Sequence, residues 1–408
     1  MDIKLIKSAI NLQSSITITG SKSESNRLLL LQALYPEISI ENLSNSDDSE
    51  VMQKALNTSE TTIDIHHAGT AMRFLTAYFA SRDSMEVVLT GSQRMKERPI
   101  QILVEALEQL GADIAYMETK GCPPLKIKGK KLKKDKVRLK ANVSSQYISA
   151  LLLIASKLEN GLELTLEGPI TSIPYIKMTL SLLDEIGVES SFKGNVIRVK
   201  PKTEINQPMT LVVESDWSSA SYFYSIVALS PMETEITLSS YKQSSLQGDS
   251  VLTEIYKWFG VSTMFGNNTI TLKKVSNTTP NFVFDYDLSN APDIAQTIAV
   301  TCLGLGLECY LTGLHTLKIK ETDRLEALKT EIEKFGAIVD VTDNSLHLFA
   351  SNQLKNHPII ATYNDHRMAM AFAPLALKTD LQILDANVVS KSYPSFWEDL
   401  KILGFQIK

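Results

Sequence analysis

Cations recur at the places where helices begin. Gly20-Ser21-Lys22-Ser23 ends a strand-like run, and a leucine-rich helix follows Asn26 and Arg27. A helix N-terminus offers free N–H groups and a partial positive charge, so an anion is favoured there, and Lys22 and Arg27 add to that field. A nucleotide P-loop needs a glycine five residues before its Gly-Lys-Ser/Thr triplet. Position 15 is a serine, so the nucleotide reading fails and the anion reading stands. "HHAGTAMRFLTA" (66–77) offers Gly69 for close backbone approach, Thr70 as a cap and Arg73 one turn into the helix. "GSQRMKERPIQIL" (91–103) sets Arg94, Lys96 and Arg98 ahead of Pro99, which suits the first turn of a helix. Three cations so close together fit a solvated loop or, more sharply, a loop opening onto the same face as the other anion positions.

Later stretches carry charges of both signs. "LKIKETDRLEAL" (317–328) packs Lys318, Lys320, Glu321, Asp323 and Arg324 together. In "TYNDHRMAMAFAP" (362–374), Asp365, His366 and Arg367 come just before an apolar helix, and "SKSYPSFWEDL" (390–400) carries Lys391. Asp293 occupies the first turn of "SNAPDIAQTIAV" (289–300), where the helix dipole by itself would stabilise an acid. Two neutral stretches, "NVSSQYIS" (142–149) and "SIPYIKMTL" (172–180), hold Ser144, Ser145, Gln146, Ser172 and Tyr175. They suit a polyhydroxylated ligand and phosphate oxygens, and serines there also serve as plain caps. So many cations beside helix starts, in a chain of net charge −5, describe a site for two multiply charged anions. Asp293 and Glu321 are its acid and base candidates. No serine, cysteine or histidine constellation points to a covalent nucleophile. His66 and His67, read as neighbours on a strand, point to opposite faces with no third ligand nearby, so no metal is expected.

The elements that must position these residues recur. "LVEALEQLGADIAY" (103–116), "LSLLDEIGVESSF" (180–192), "LTEIYKWFGVSTMF" (252–265), "LKTEIEKFGAIVDV" (328–341) and "FWEDLKILGFQI" (396–407) each read as an amphipathic helix ending in glycine, followed by a strand. Their glycines (Gly111, Gly187, Gly260, Gly336, Gly404) stand where a helix C-cap takes a left-handed residue. "SEVMQKALN" (49–57) is a weaker sixth copy. A second, more apolar helix class starts near Ser23, Gly69, Ser144, Asp216, Pro292 and Asp365, with β-rich segments between. The unit reads as strand–helix–strand–helix plus further strands, an α/β protein. Six such units in 408 residues are too much for one core and divide naturally into three and three.

Composition narrows the function classes. With 44% hydrophobic and 21% charged residues the chain reads as an ordinary globular protein. No apolar run of about 18 residues could span a bilayer, and "MDIKLIKSAINLQSSITITG" lacks a secretory pattern. Cys122, Cys302 and Cys309 fit no disulfide framework, which suggests a reducing compartment, hence the cytoplasm. The negative net charge argues against a nucleic-acid partner. The basic run "KIKGKKLKKDKVRLK" (126–140) lacks interleaved aromatics and reads as a solvated turn between strands.

"GSKSESNR", "AGTAMR", "RMKERPI", "SSQ", "PDIAQT", "KETDRL", "NDHRMAMAFA" and "KSYPSFWEDL", in this order, resemble the motifs of the 5-enolpyruvylshikimate-3-phosphate synthase family over residues 20 to 400. "RMKERPI", "KETDRL" and "NDHRMAM" are the specific ones. The resemblance implies the inside-out α/β barrel of the enolpyruvyl transferases. It has two similar domains, each of three strand-helix-strand-helix-strand-strand repeats. The expected boundaries are 20–213 for the N-terminal domain, mostly binding shikimate 3-phosphate, and 1–19 with 214–408 for the C-terminal domain, with the active site in the cleft between them. The chain would cross near Gly20 and near Glu214.

The resemblance also implies the reaction. The enolpyruvyl group of phosphoenolpyruvate passes to the 5-hydroxyl of shikimate 3-phosphate through a tetrahedral intermediate, with release of phosphate and with no metal or cofactor. Lys22, Ser23, Arg27, Ser144, Ser145, Gln146, Ser172, Tyr175, Asp293 and Lys320 would hold shikimate 3-phosphate. Lys22, Gly69, Arg94, Gln146, Arg324, Arg367 and Lys391 would serve phosphoenolpyruvate. Asp293 would be the base, with Glu321 and Lys22 managing protonation of the methylene carbon. Only small-molecule partners and a monomer are expected. Three positions depart from the family: His67 stands where asparagine is usual, Phe74 where proline is frequent, and Thr316 where asparagine is frequent. The nearest rival, enolpyruvyl transfer to UDP-N-acetylglucosamine, typically has a cysteine in the loop matching "GSQRMKERP", which this chain lacks. A non-catalytic anion-binding protein of the same fold is the other alternative.

Overall fold

Two kinds of helix build the protein, and the sequence explains the difference. In the computed structural model, Gly69–Ala80 is buried at every residue. His366–Phe372 is likewise buried throughout, and Trp217–Leu229 is buried except at Ser218. A helix that is apolar all round belongs inside a core. Gln101–Leu110 instead buries Leu103, Val104, Ala106, Leu107 and Leu110 and turns its Gln and Glu residues to solvent, as an outer helix does. The structure describes all residues except 141–143, 171–172, 279–281, 352–353 and 356. Ser172 therefore lies outside the described residues.

One repeat shows the plan. Thr62–Asp64, Gly69–Ala80, Glu86–Thr90, Gln101–Leu110, Asp113–Tyr116 and Leu125–Lys128 follow in order. The first two strands pair in parallel, with Ile63 opposite Leu89. A parallel pair needs a crossover, and the inner helix provides it. The later strands add antiparallel, giving the order first, second, fourth, third. Among the described residues, five sheets of this kind have four strands and a sixth has two.

The chain divides into two units, Met1–Gly20 with Glu214–Lys408, and Ser21–Val213. In the first of these, N-terminal strands complete two sheets. Gln13–Ile16 pairs in parallel with Glu235–Ser239, and Ile3–Ile6 lies between Leu381–Ile383 and Gln406–Ile407. In the other unit the two-stranded sheet joins Met209–Val212 to Ile38–Glu41. This repeat lacks a closing antiparallel pair because only residues 58–61 separate helix Asp47–Asn57 from the next repeat's first strand. The weak sixth copy also has no glycine cap, since Thr58 leaves the helix in extended backbone.

The five outer-helix glycines all have left-handed φ, from 76° to 108°. At Gly260 space demands glycine as well, because an added Cβ would meet the Ser276 carbonyl oxygen at 1.9 Å. The inner helices run parallel and in register. Gln146 Nε2 donates to Thr70 Oγ1 at 3.1 Å, Ser221 and Thr297 hydroxyls lie 3.0 Å apart, and Thr301 donates to Ser225 at 2.8 Å. Each pair is separated by 76 residues, so equivalent positions of successive repeats touch. Parallel packing brings several helix N-termini to one end of each unit, where their partial positive charges add.

Candidate active site

In the unit that holds both termini, three helix starts meet around Asp293. Ser218 is the second residue of Trp217–Leu229 and Arg367 the second of His366–Phe372. Asp293 lies in the turn Pro292–Ile294 that leads into Ala295–Leu305. Arg367 Nη2 lies 3.2 Å from Ser218 Oγ and 3.3 Å from Asp293 Oδ2. Arg324 opens helix Arg324–Glu333, which Asp323 caps by accepting from Leu325 N and Glu326 N. The buried Arg324 guanidinium binds three carboxylates, Asp365 Oδ2 at 2.6 Å, Asp293 Oδ1 at 2.9 Å and Glu321 Oε2 at 2.8 Å. Lys320 Nζ approaches Asp293 Oδ1 at 3.5 Å.

The loop before Arg367 is strained. Tyr363 and Asn364 are consecutive left-handed residues, with φ of 54° and 56°. Asparagine tolerates this region, whereas for tyrosine it costs about 1–2 kcal/mol. The turn lets Asp365 face two ways: Oδ1 caps the helix by accepting from Arg367 N at 2.9 Å, and Oδ2 holds Arg324. It also exposes the Asn364 carbonyl, which accepts from Lys391 Nζ at 2.6 Å.

These neighbours set the charge states. Burial pushes the Asp293 carboxyl up, but Lys320, Arg367 and Arg324 together outweigh it and hold Asp293 well below the usual carboxylate range. Lys320 is drawn up by Asp293, yet burial and the two arginines leave it lower than a free lysine. Asp249 goes the other way. Burial, with the Asp293 charge adding to it, lifts this carboxyl to about 7. Its Oδ2 accepts from Ser218 Oγ, which also touches Arg367, while Oδ1 has no partner among the described residues. Residue types alone miss Asp249, because "QGDS" lies in a short 3₁₀ turn with no helical period. Its only signal is an acid following a glycine just before an outer helix.

The unit Ser21–Val213 holds its buried arginines with neutral acceptors. Arg27 is buried inside helix Lys22–Leu34 and donates to Thr179 Oγ1 at 2.8 Å, Ser23 O at 2.6 Å and Ser149 Oγ at 2.9 Å. Burial lowers its guanidinium to about 10, partly offset by Tyr175 and Glu24. The Phe74 ring lies 5.4 Å from the guanidinium carbon, so this departure from the family covers Arg27 with an aromatic face. Lys22 pairs with Asp48 at 3.6 Å. Ser144 caps Ser145–Ala155 by accepting from Gln146 N at 3.3 Å. Tyr175 lies in the first turn of Ile173–Glu185, and its carbonyl accepts from Arg27 Nη2 at 3.4 Å. At Gly69 an added Cβ would lie 2.7 Å from Arg98 Nη1 and 3.1 Å from Arg73 Nη1, so the missing side chain makes room for two guanidinium groups. Arg94 stands on the short helix Gln93–Lys96, exposed and paired with Glu97 at 3.2 Å.

Three local expectations change. Pro99 precedes helix Gln101–Leu110 instead of opening it. Its carbonyl is held by Tyr147 Oη at 2.6 Å and Arg73 Nη2 at 3.3 Å, and of the cations before it Arg94 and Lys96 stand on a short helix of their own. Thr70 does not cap Gly69–Ala80 and accepts from Gln146 instead. His66 and His67 stand in a turn rather than on a strand, with His66 left-handed at φ 49° and its N–H on Asp64 Oδ1.

A family model described as EPSP synthase (3-phosphoshikimate 1-carboxyvinyltransferase) matches residues 53–400. The 3-phosphoshikimate 1-carboxyvinyltransferase of Bacteroides fragilis is 47% identical, covering 99% of this chain and 98% of that one. The chain belongs to the EPSP synthase family. The 3-phosphoshikimate 1-carboxyvinyltransferase of Haemophilus influenzae is 35% identical over 95% of this chain and 96% of its own. An EPSP synthase structure from Acinetobacter baumannii superposes with a TM-score of 0.81 at 19% identity. It covers 100% of this chain and 99% of its own, a likeness of fold. Membership makes the chain a transferase of the shikimate pathway. Thr316, a departure from the family's motif, has a buried hydroxyl with no partner among the described residues.

Proposed function

We propose that Asp293, held among Lys320, Arg324 and Arg367, is the base in the reaction of this family's members, transfer of the enolpyruvyl group from phosphoenolpyruvate to the 5-hydroxyl of shikimate 3-phosphate. The observation that carries the reading is this cluster, three cations converging on one carboxylate at distances of 2.9 to 3.5 Å. Without substrate the cations suppress the basicity of Asp293. Phosphate and carboxylate oxygens of the substrates compete for the same cations, and every cation drawn off makes Asp293 a stronger acceptor. Basicity thus rises when the anions arrive, which ties proton removal to a filled site.

Asp293 takes the 5-hydroxyl proton while the oxygen attacks C2 of phosphoenolpyruvate. Glu321, with Lys22, delivers a proton to the methylene carbon, giving the tetrahedral adduct. Glu321, left as the carboxylate, then takes a proton back from the new methyl group, and the double bond re-forms as phosphate leaves C2. Arg324, Arg367, Lys391, Arg94, Lys22 and Gln146 hold phosphoenolpyruvate, with Gly69 giving room. Ser23, Arg27, Ser144, Ser145, Gln146, Ser172, Tyr175 and Lys320 serve shikimate 3-phosphate. Arg27 acts chiefly through the Ser23 backbone, since its donors are engaged by protein acceptors. The reading assigns every one of these roles to a single chain, a monomer. Free Cys122, Cys302 and Cys309 support a reducing, cytoplasmic setting. No described helix is long and apolar enough to cross a membrane.

The test is phosphate release from phosphoenolpyruvate, with and without shikimate 3-phosphate and with no metal added. Release that requires both substrates is the expected result. Release with UDP-N-acetylglucosamine instead would transfer the reading to the rival acceptor, and no release with either would leave an anion-binding protein.

A further inference from the structure

Outside the proposed chemistry, Glu331 is a fully buried carboxylate with an unusual set of partners. Glu331 lies two turns beyond Arg324 on the same helix, hence on the same face. Its Oε1 accepts from Tyr363 Oη at 2.7 Å, and its Oε2 accepts from Ala361 N at 3.1 Å and from Lys334 Nζ at 2.6 Å. Lys334 also donates to the Ile359 carbonyl at 2.8 Å. The carboxylate therefore grips the chain at Ala361 and again at Tyr363, where the left-handed turn begins. An apolar residue would fill this buried place without the desolvation cost of a charge. It would not hold the turn.

We infer that Glu331 and Tyr363 are positioning residues for the phosphoenolpyruvate end of the site. They act through the strained turn that presents Asp365, Arg367 and the Asn364 carbonyl. The geometry is continuous. Glu331 fixes Ala361 and Tyr363; Asn364 O accepts from Lys391; Asp365 accepts from Arg324 and caps the helix that starts with His366 and Arg367. One helix, Arg324–Glu333, thus supplies Arg324 at its first residue and holds the loop of its partners from its last turn. Burial, together with Glu331, pushes the Tyr363 hydroxyl up to about 12, so it remains a donor through the neutral range. The inference rests on the assignment of Arg324, Arg367 and Lys391 to phosphoenolpyruvate.

Tyr363→Phe removes one hydroxyl and leaves Glu331 its two nitrogen donors. The KM for phosphoenolpyruvate should rise about five- to tenfold, a part of what one charge-assisted hydrogen bond is worth, because the effect reaches the site through the turn. The KM for shikimate 3-phosphate should stay within about twofold, and the melting temperature should fall only by the few degrees that loss of one hydrogen bond entails, about 2–4 °C per kcal/mol. Glu331→Gln keeps the side-chain volume and an oxygen for Tyr363, but its amide N–H₂ stands where Oε2 accepts from Ala361 N and Lys334 Nζ, so the grip on the chain is lost at Ala361. It should show the same split and stands in if Tyr363→Phe does not fold. An unchanged KM for phosphoenolpyruvate, or both KM values rising together as the protein melts earlier, would overturn the inference. Wild-type protein that consumed no phosphoenolpyruvate would overturn the underlying assignment, a failure seen before any variant is made.

Discussion

Both units gather the starts of parallel inner helices at one end, and they hold their buried cations there with different partners. Around Asp293 the unit with the termini sets Lys320, Arg324 and Arg367 against Asp293, Glu321 and Asp365. In Ser21–Val213 buried Arg27 is held by hydroxyls and carbonyls of Thr179, Ser149, Ser23 and Tyr175, and buried Arg73 by the carbonyls of Gly69 and Pro99. One architecture thus carries a charged cluster that can move protons and a neutral cradle that can hold oxygens. The repeat supplies the positions, and the side chains decide what each end does.

The largest break in that contrast comes from removing the two arginines. Arg324→Gln leaves three carboxylates without their shared partner and should cost about 3–5 kcal/mol. Arg27→Gln leaves only neutral acceptors short of donors and should cost about 2–3 kcal/mol. Denaturant unfolding of both variants checks this, and equal losses would contradict the comparison.

A second effect sharpens the contrast through pH. Asp249 has a folded value of about 7, raised above its unfolded value by burial. Between those two values the folded state binds the extra proton, so stability contributed by this group falls as pH rises from about 4 to 7. Asp249→Asn should therefore melt later than wild type at pH 8, by roughly 1–3 kcal/mol, and match it near pH 4. Asp293 runs oppositely, because its depressed value means that its stability is present above the unfolded value and lost as pH falls below it. Thermal melts of both proteins at the two pH values decide the sign. The smallest effect concerns the neutral cradle. Phe74→Leu removes the ring beside Arg27 and should cost about 1–2 kcal/mol while leaving turnover within about threefold.

Much of this site could be read from the sequence because its residues announce helix starts. Asp365 and Ser144 are caps by type and are caps in the structure, and the outer-helix glycines mark repeat ends by their conformation. What could not be read follows from tertiary context. Nothing in the period of residues 3–16 says that Ile3–Ile6 and Gln13–Ile16 complete sheets begun beyond residue 234. Tyrosine is a poor predictor of left-handed backbone, so the turn at Tyr363 is visible only with Glu331 beside it. Pro99 looked like a helix start and instead lends its carbonyl to Tyr147 and Arg73.

If the charged cluster performs the chemistry while the neutral cradle holds the acceptor, Asp293→Asn separates the two roles. Phosphate release with both substrates should fall about 10²- to 10⁴-fold, the range for loss of a positioned base. Binding of shikimate 3-phosphate, read by calorimetry, should change by no more than about tenfold, the worth of one hydrogen bond. Release at the wild-type rate, or binding lost in step with turnover, would contradict the account.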